Sequence, residues 1–96
     1  MTKAELINKI ALKTGIEKIT SLAVIEAFMN EIKETISENE SIFLRGFGTF
    51  KPKKRAKKTA RNDMRGKNTT IIIPAHYVPA FKPSKIFKEN VKKKLT

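Results

Sequence analysis

The sequence has no cysteine, no tryptophan, one histidine, one tyrosine and four glycines in 96 residues. Without cysteine there is no disulfide, no thiol nucleophile and no cysteine-ligated zinc. The lone histidine, His76, and the lone aspartate, Asp63, make a poor ligand set for a metal. Glu5, Glu17, Glu26 and Glu31 do not cluster with His76 as an acid–base pair would. Gly46 and Gly48 lack the surrounding pattern of a nucleotide-binding loop. No apolar run reaches the roughly 18 residues that cross a bilayer. The first residues lack the apolar stretch of a secretory signal, so a cytoplasmic location is expected. These absences predict a chain that is not an enzyme and uses no metal and no cofactor. Core is the last thing in short supply. A chain of 96 residues buries little when it folds alone. With no disulfide to help, it needs an idealised core, a metal or a partner subunit.

What is abundant is positive charge. There are 21 Lys and Arg against 9 Asp and Glu, a formal net charge of +12. The excess is uneven. Residues 1–40 hold five basic and seven acidic residues, whereas residues 41–96 hold sixteen and two. Within 51–67 there are nine basic residues and one acidic. A concentrated excess points to a polyanion partner, with nucleic acid ahead of an anionic membrane surface. Hydrophobic residues at 40% and six phenylalanines mark a folding chain rather than a disordered basic tail.

One domain over residues 1–96 is expected, with three helices. Thr2 and Glu5 read as a capping box before Leu6, Ile7, Ile10 and Ala11, and Gly15 suits the C-terminal cap. This predicts a helix over about 3–14. A second covers about 18–38, with Leu22, Ile25, Phe28, Met29, Ile32 and Ile36 as its apolar stripe. Its start lies at Glu17 or at the better caps Thr20 and Ser21, and Asn39 is its stop. A third covers about 84–94, with Phe87, Val91 and Leu95 at helical spacing among lysines. The stripe of the second helix is wider than one thin sheet and one short helix can cover. A symmetric dimer would cover it.

Between the helices the pattern is that of strands. Ile42–Leu44 is a short strand, and Gly46 and Gly48 mark a tight turn or close approach. Phe47 and Phe50 are expected core anchors. From Thr49 to Arg61 the chain is polar and basic, and Thr69–Ile73 favours a strand. This predicts a long hairpin arm over about 51–78. One strand from 49 to 61 would reach on the order of 40 Å, more than a body of this size can cover. Its cations are Lys51, Lys53, Lys54, Arg55, Lys57, Lys58, Arg61, Arg65 and Lys67. In a continuous strand 51, 53, 55, 57 and 61 share one face, while 54 and 58 share the other. A ribbon charged on both faces has no side to pack on a core, and phosphates would compensate its charge. Few aromatics lie on the arm to stack on splayed bases, which argues against single-strand or RNA reading.

The motif Gly46-Phe47-Gly48-Thr49-Phe50, then Arg55, Arg61-Asn62 and Val78-Pro79-Ala80-Phe81-Lys82, resembles the bacterial HU/integration host factor family of histone-like DNA-bending proteins. Lys3, Leu6, Ile7 and Gly15 agree, so the resemblance spans essentially the whole chain. It implies an α+β fold: an intertwined dimer with a helical base, small antiparallel sheets and two long β-ribbon arms. The arms would lie in the minor groove of double-stranded DNA and bend it without sequence selectivity, compacting the nucleoid. The alternative is a sequence-selective bender of the integration host factor type, possible as a heterodimer. Arg55, Arg61 and Asn62 match arm positions that contact DNA. Lys3 and the lysines of the last helix, with Lys82, Lys85 and Lys88, match the flanks. Phe47, Phe50 and Phe81 match core aromatics at the dimer interface.

The arm tip departs from the family pattern. Asp63 stands where the family usually has a wedging proline after the Arg-Asn pair. The tip is about two residues longer than usual. Ile71–Ile73 and Pro74 resemble Bacteroides-type members. Met64 is the one large apolar residue near the tip, either a plain turn residue or a wedge between base pairs. If Met64 is the wedge, Met64→Ala should keep most affinity but reduce bending, read by end-to-end fluorescence transfer on a short duplex. Equal bend angles would assign it no wedge role.

Overall fold

The computed structural model describes residues 1–62 and 69–96, with 61, 62 and 69 described in the backbone only. Two compact units divide the chain, residues 1–35 and 36–96. In the first, helix α1 spans Lys3–Thr14. Thr2 is extended at its N-cap, and the Thr2 hydroxyl accepts the Glu5 N–H at 3.2 Å. Gly15 closes the helix with a φ of 74°, donating its N–H to the Ala11 carbonyl at 2.9 Å. This left-handed cap is one that glycine adopts at little cost. Helix α2 spans Lys18–Ser37. Its first bond runs from the Ser21 N–H to the Glu17 carbonyl, so Glu17 holds the cap position and Thr20 and Ser21 lie inside the helix. Past its end, Asn39 takes a φ of 63° and donates to the Ile36 carbonyl at 3.0 Å. Asparagine tolerates that region better than most residues, and the stop falls where the sequence places it.

The second unit holds the strands. β1 (Ile42–Leu44), β2 (Gly48–Arg55) and β5 (His76–Pro83) form an antiparallel sheet in the order β1-β2-β5. β3 (Lys58–Asn62) and β4 (Thr69–Ile73) pair with each other in a second, two-stranded sheet. Leu44 accepts the Phe47 N–H at 3.0 Å, and Gly46 sits at the third position of this turn with a φ of 80°. That is the position of a type II turn that calls for glycine. The Phe47 carbonyl in turn accepts the Ser84 N–H at 2.8 Å, which ties the start of helix α3 (Lys85–Leu95) to the turn. Ser84 caps α3 rather than starting it. Its hydroxyl accepts the Phe87 N–H at 3.2 Å.

The single strand expected from 49 to 61 is instead two strands, interrupted at Ala56 and Lys57 opposite Pro74 and Ala75. The registers on either side of the gap explain it. Arg55 pairs with His76 and Lys58 with Ile73, so two residues face two and no bulge intervenes. Pro52 lies directly opposite Pro79. Two prolines have no N–H to exchange, so theirs is a non-hydrogen-bonded pair. Alternation then places Pro83, opposite Gly48, in a site of the same kind. Pro74 falls on the other parity, where a donor is required. The ladder stops there.

The same pleat gathers an aromatic cluster, in which Phe47, expected as a core anchor, and Phe81 stay exposed in the single chain. Phe50 and Phe81 are cross-strand partners with ring centroids 4.7 Å apart. Phe47 joins from the turn and Phe87 from α3, at 5.1 Å from Phe81 and 5.4 Å from Phe47 respectively. Phe81 leaves no room at Gly48. A Cβ there would lie 2.5 Å from the Phe81 ring and 2.6 Å from the Lys82 carbonyl oxygen. Gly48→Ala should therefore cost about 1–3 kcal/mol, as overpacking does, and lower the urea midpoint more than Gly46→Ala. At Gly46 a Cβ meets open space and only the positive φ is penalised. Equal midpoints would show that the Phe81 ring yields.

Candidate nucleic-acid interface

Alternation along β2 sends Lys51, Lys53 and Arg55 to the face turned away from the phenylalanine cluster. Lys82, across from Thr49, joins them on it. Lys53, Arg55 and Lys82 are exposed, and Lys51 is half-buried. Lys54 goes to the other face, opposite Tyr77. Lys57 lies in the gap between the sheets, and Lys58 opens β3. β2 thus carries cations on both faces, as expected. β3–β4 does not follow that expectation for Lys58. Its face also carries Ala60, Ile71 and Ile73, because Lys58 pairs with Ile73 and Ala60 with Ile71. Ile72, on the opposite side, is exposed as well. The reading from the cations alone missed the contribution of the return strand.

The backbones of Arg61 and Asn62 pair with Thr70 and Thr69 in β3–β4. Their side chains lie outside the described residues, as do Asp63, Met64, Arg65 and Lys67, and with them the proposed wedge and the tip length. Lys82, Lys85 and Lys88 are brought together around one cavity near the start of α3, where Arg45 joins them. Arg45 was not among the sequence candidates. Its place directly before Gly46-Phe47-Gly48 was the available signal.

Lys3 belongs to the first unit. Its ammonium makes an ion pair with the Glu26 carboxylate of α2, with the two side chains 55% and 40% exposed. His76 is exposed beside the gap, opposite Arg55. Its Nδ1 lies 2.9 Å from the Pro74 carbonyl oxygen. A carbonyl only accepts, so Nδ1 carries the proton and the ring tidies the strand end. Among the described residues no three acidic, His or Cys side chains gather where they could hold a metal ion. No described helix is long and apolar enough to cross a membrane.

An α+β chain whose cations share an exposed strand face and continue into a two-stranded ribbon is built as a polyanion-binding protein. It belongs to the bacterial DNA-binding protein family, whose model matches residues 1–92. DNA-binding protein HU of Xylella fastidiosa strain Temecula1 is 40% identical over 92 residues, covering 96% of each chain. The prophage-derived DNA-binding protein HU 2 of Bacillus subtilis is 40% identical over 94 residues, covering 98% of this chain and all of that one. In structure the chain is similar to Anabaena HU cocrystallised with DNA, with a TM-score of 0.87, 36% identity, and 95% and 97% of the two chains covered. It is also similar to the V42I mutant of Thermotoga maritima HU, with a TM-score of 0.70, 30% identity, and 95% and 99% covered. The fold is that of the histone-like HU and integration host factor proteins, DNA-binding proteins that are not enzymes.

The Lys3–Glu26 pair makes the expected contact of Lys3 with a phosphate testable. A phosphate that takes Lys3 must first separate it from Glu26. Glu26→Gln should strengthen duplex binding up to severalfold and steepen its salt dependence, since Lys3 then starts unpaired. The fold should lose less than about 1 kcal/mol, because exposed ion pairs contribute little. Unchanged affinity in a salt titration would place Lys3 outside the contact.

Proposed function

We propose that residues 1–96 act as one domain that binds double-stranded DNA without sequence selectivity and bends it, as a homodimer in the bacterial nucleoid. The observation that carries this reading is the row of cations Lys51, Lys53 and Arg55 on the face of β2 turned away from the phenylalanine cluster, next to Lys82. Each cation that meets a phosphate releases counterions, which gives affinity that depends on salt and not on sequence. The β3–β4 ribbon is narrow enough for the minor groove. There Ala60, Ile71 and Ile73 would lie against the sugar walls. Bending a site by elastic deformation costs about 1–6 kcal/mol, and the extra phosphates reached on the flanks by Lys3, Lys82, Lys85 and Lys88 offset it. Arg61, Asn62, Arg65 and Lys67 extend the contact toward the tip, with Met64 as the wedge. The chemistry is binding only.

The homodimer is supported by what the chain leaves uncovered. Among the described residues Ile7 is the only large apolar side chain that is buried, and seventeen large hydrophobic residues are exposed. Val91 and Leu95 of α3, Leu22 and Phe28 of α2 are among them. A soluble chain does not keep that much apolar surface in water. A second copy would bury it and supply the second arm that a bent duplex needs. The run Ile71–Ile73 with Pro74 supports kinship with Bacteroides-type members.

Arg55→Ala should weaken binding to unrelated duplexes alike and reduce the slope of log affinity against log salt by about one phosphate's worth. An unchanged slope would place Arg55 off the backbone. Across unrelated sequences at one salt concentration affinities should agree within about tenfold. A spread above about 10³ would sink the unselective reading.

A further inference from the structure

We propose that His76 is a positioning residue of the hairpin: its ring latches the return strand beside the break at Pro74 and so sets the direction of the β3–β4 ribbon before a duplex is met. The inference rests on the duplex-binding reading and adds to it a residue that makes no phosphate contact of its own. Four residues join the ribbon to the three-stranded sheet without a place in either ladder, Ala56 and Lys57 on the outgoing strand and Pro74 and Ala75 on the return. On the outgoing side Ala56 and Lys57 are exposed, and each keeps both soft backbone dihedrals.

The return side is built differently. The φ of Pro74 is locked by its ring, and Pro74 holds Ile73 before it to extended backbone. The His76 Nδ1–H then donates to the Pro74 carbonyl at 2.9 Å. That bond closes a ring over the φ and ψ of Ala75, so the ψ of Pro74 is the soft torsion left between the ladders on this strand. At this parity a regular ladder would exchange two bonds between Lys57 and Pro74, and Pro74 has no donor for one of them. The histidine gives the Pro74 carbonyl a donor that does not depend on the opposite strand. A ribbon hung on two soft connections samples many directions, and a duplex must order it on binding. One stiff connection lowers that cost. The latch also stands where the cation row of β2 ends, because His76 lies opposite Arg55, the last residue of β2. What the position requires is a donor rather than an imidazole. The Nδ2 of an asparagine is as many bonds from the backbone as the Nδ1 of a histidine, so asparagine can remake the bond. Leucine, with the same branching and no donor, cannot.

His76→Leu should weaken binding to a blunt duplex about twofold to fivefold, the scale of one neutral hydrogen bond. The slope of log affinity against log salt should not change, because no phosphate contact is lost. His76→Asn should restore most of the affinity. The chain has no cysteine, so Thr59→Cys allows a nitroxide to be placed on an exposed position of β3. In the free protein the nitroxide should be more mobile with His76→Leu than with His76 or His76→Asn, and with duplex bound all three should agree. A slope lowered in His76→Leu by about one phosphate's worth would make His76 a direct contact and overturn the latch. So would unchanged affinity in His76→Leu, His76→Asn behaving as His76→Leu does, or a nitroxide equally mobile in all three free proteins. If none of the three bound the duplex while the nitroxide still followed the donor, the duplex-binding reading would fail and the latch would stand.

Discussion

The pairing of β2 with β5 is the arrangement on which the rest of this molecule depends. From Gly48 opposite Pro83 to Arg55 opposite His76 the two strands keep one register. The two-residue side-chain period then separates two chemistries that are mixed in the sequence. Phe50 and Phe81 go to the side where Phe47 and Phe87 complete an aromatic cluster, and Lys51, Lys53, Arg55 and Lys82 go to the other. A slip of one residue would put lysines among the rings. Gly48 protects that register, because no side chain fits between β2 and the Phe81 ring. The prolines obey it too: Pro52, Pro79 and Pro83 stand where the ladder needs no donor, and Pro74 stands where it does.

The interruption at Pro74 also divides the labour along the hairpin. The part backed by the three-stranded sheet has rings behind it. The β3–β4 part has no third strand, and a two-stranded ribbon alone is marginal in water. A surface that must follow a groove gains from being supported by its ligand rather than by a core. The charge acts in the same direction, because like charges close together disfavour the free arm and are relieved by phosphate.

The shortage of core and the excess of charge meet in the proposed homodimer. Among the described residues one chain buries Ile7 and, among polar side chains, Ser21, and leaves Leu22 and Phe28 of α2 and Val91 and Leu95 of α3 exposed. What a second copy would cover is apolar, and what it would leave outside is cationic. The proposed contact of Lys3 is compatible with its pair to Glu26, because an exposed pair of this kind contributes little and a phosphate would displace it at low cost.

Much of this was legible in the residues alone. The caps at Thr2, Gly15 and Ser84 are local signals, and local hydrogen bonds decide them. The strand at Ile42–Leu44, the turn at Gly46 and the basic hairpin follow from composition and from backbone conformations that few residues adopt. The family motif from Gly46 to Phe50 carried the fold. The cations of β2 could be listed from the residues because charge is read directly from sequence, but which face each takes came from the pairing. Register was not legible, since it depends on which residue of a distant strand lies opposite. For that reason the split at Ala56–Lys57, the isoleucines on the Lys58 face and the gathering of Arg45 with Lys82, Lys85 and Lys88 came only from the tertiary structure. The engagement of Lys3 by Glu26 across 23 positions is of the same kind. The opening deficits stand with a sharper meaning. The sequence by itself determined that this chain is too basic and too short of core to be self-sufficient. The tertiary structure decided which face meets the solvent as charge and set His76 opposite Arg55 beside the break, because pairing across strands, not order along the chain, sets what stands beside what.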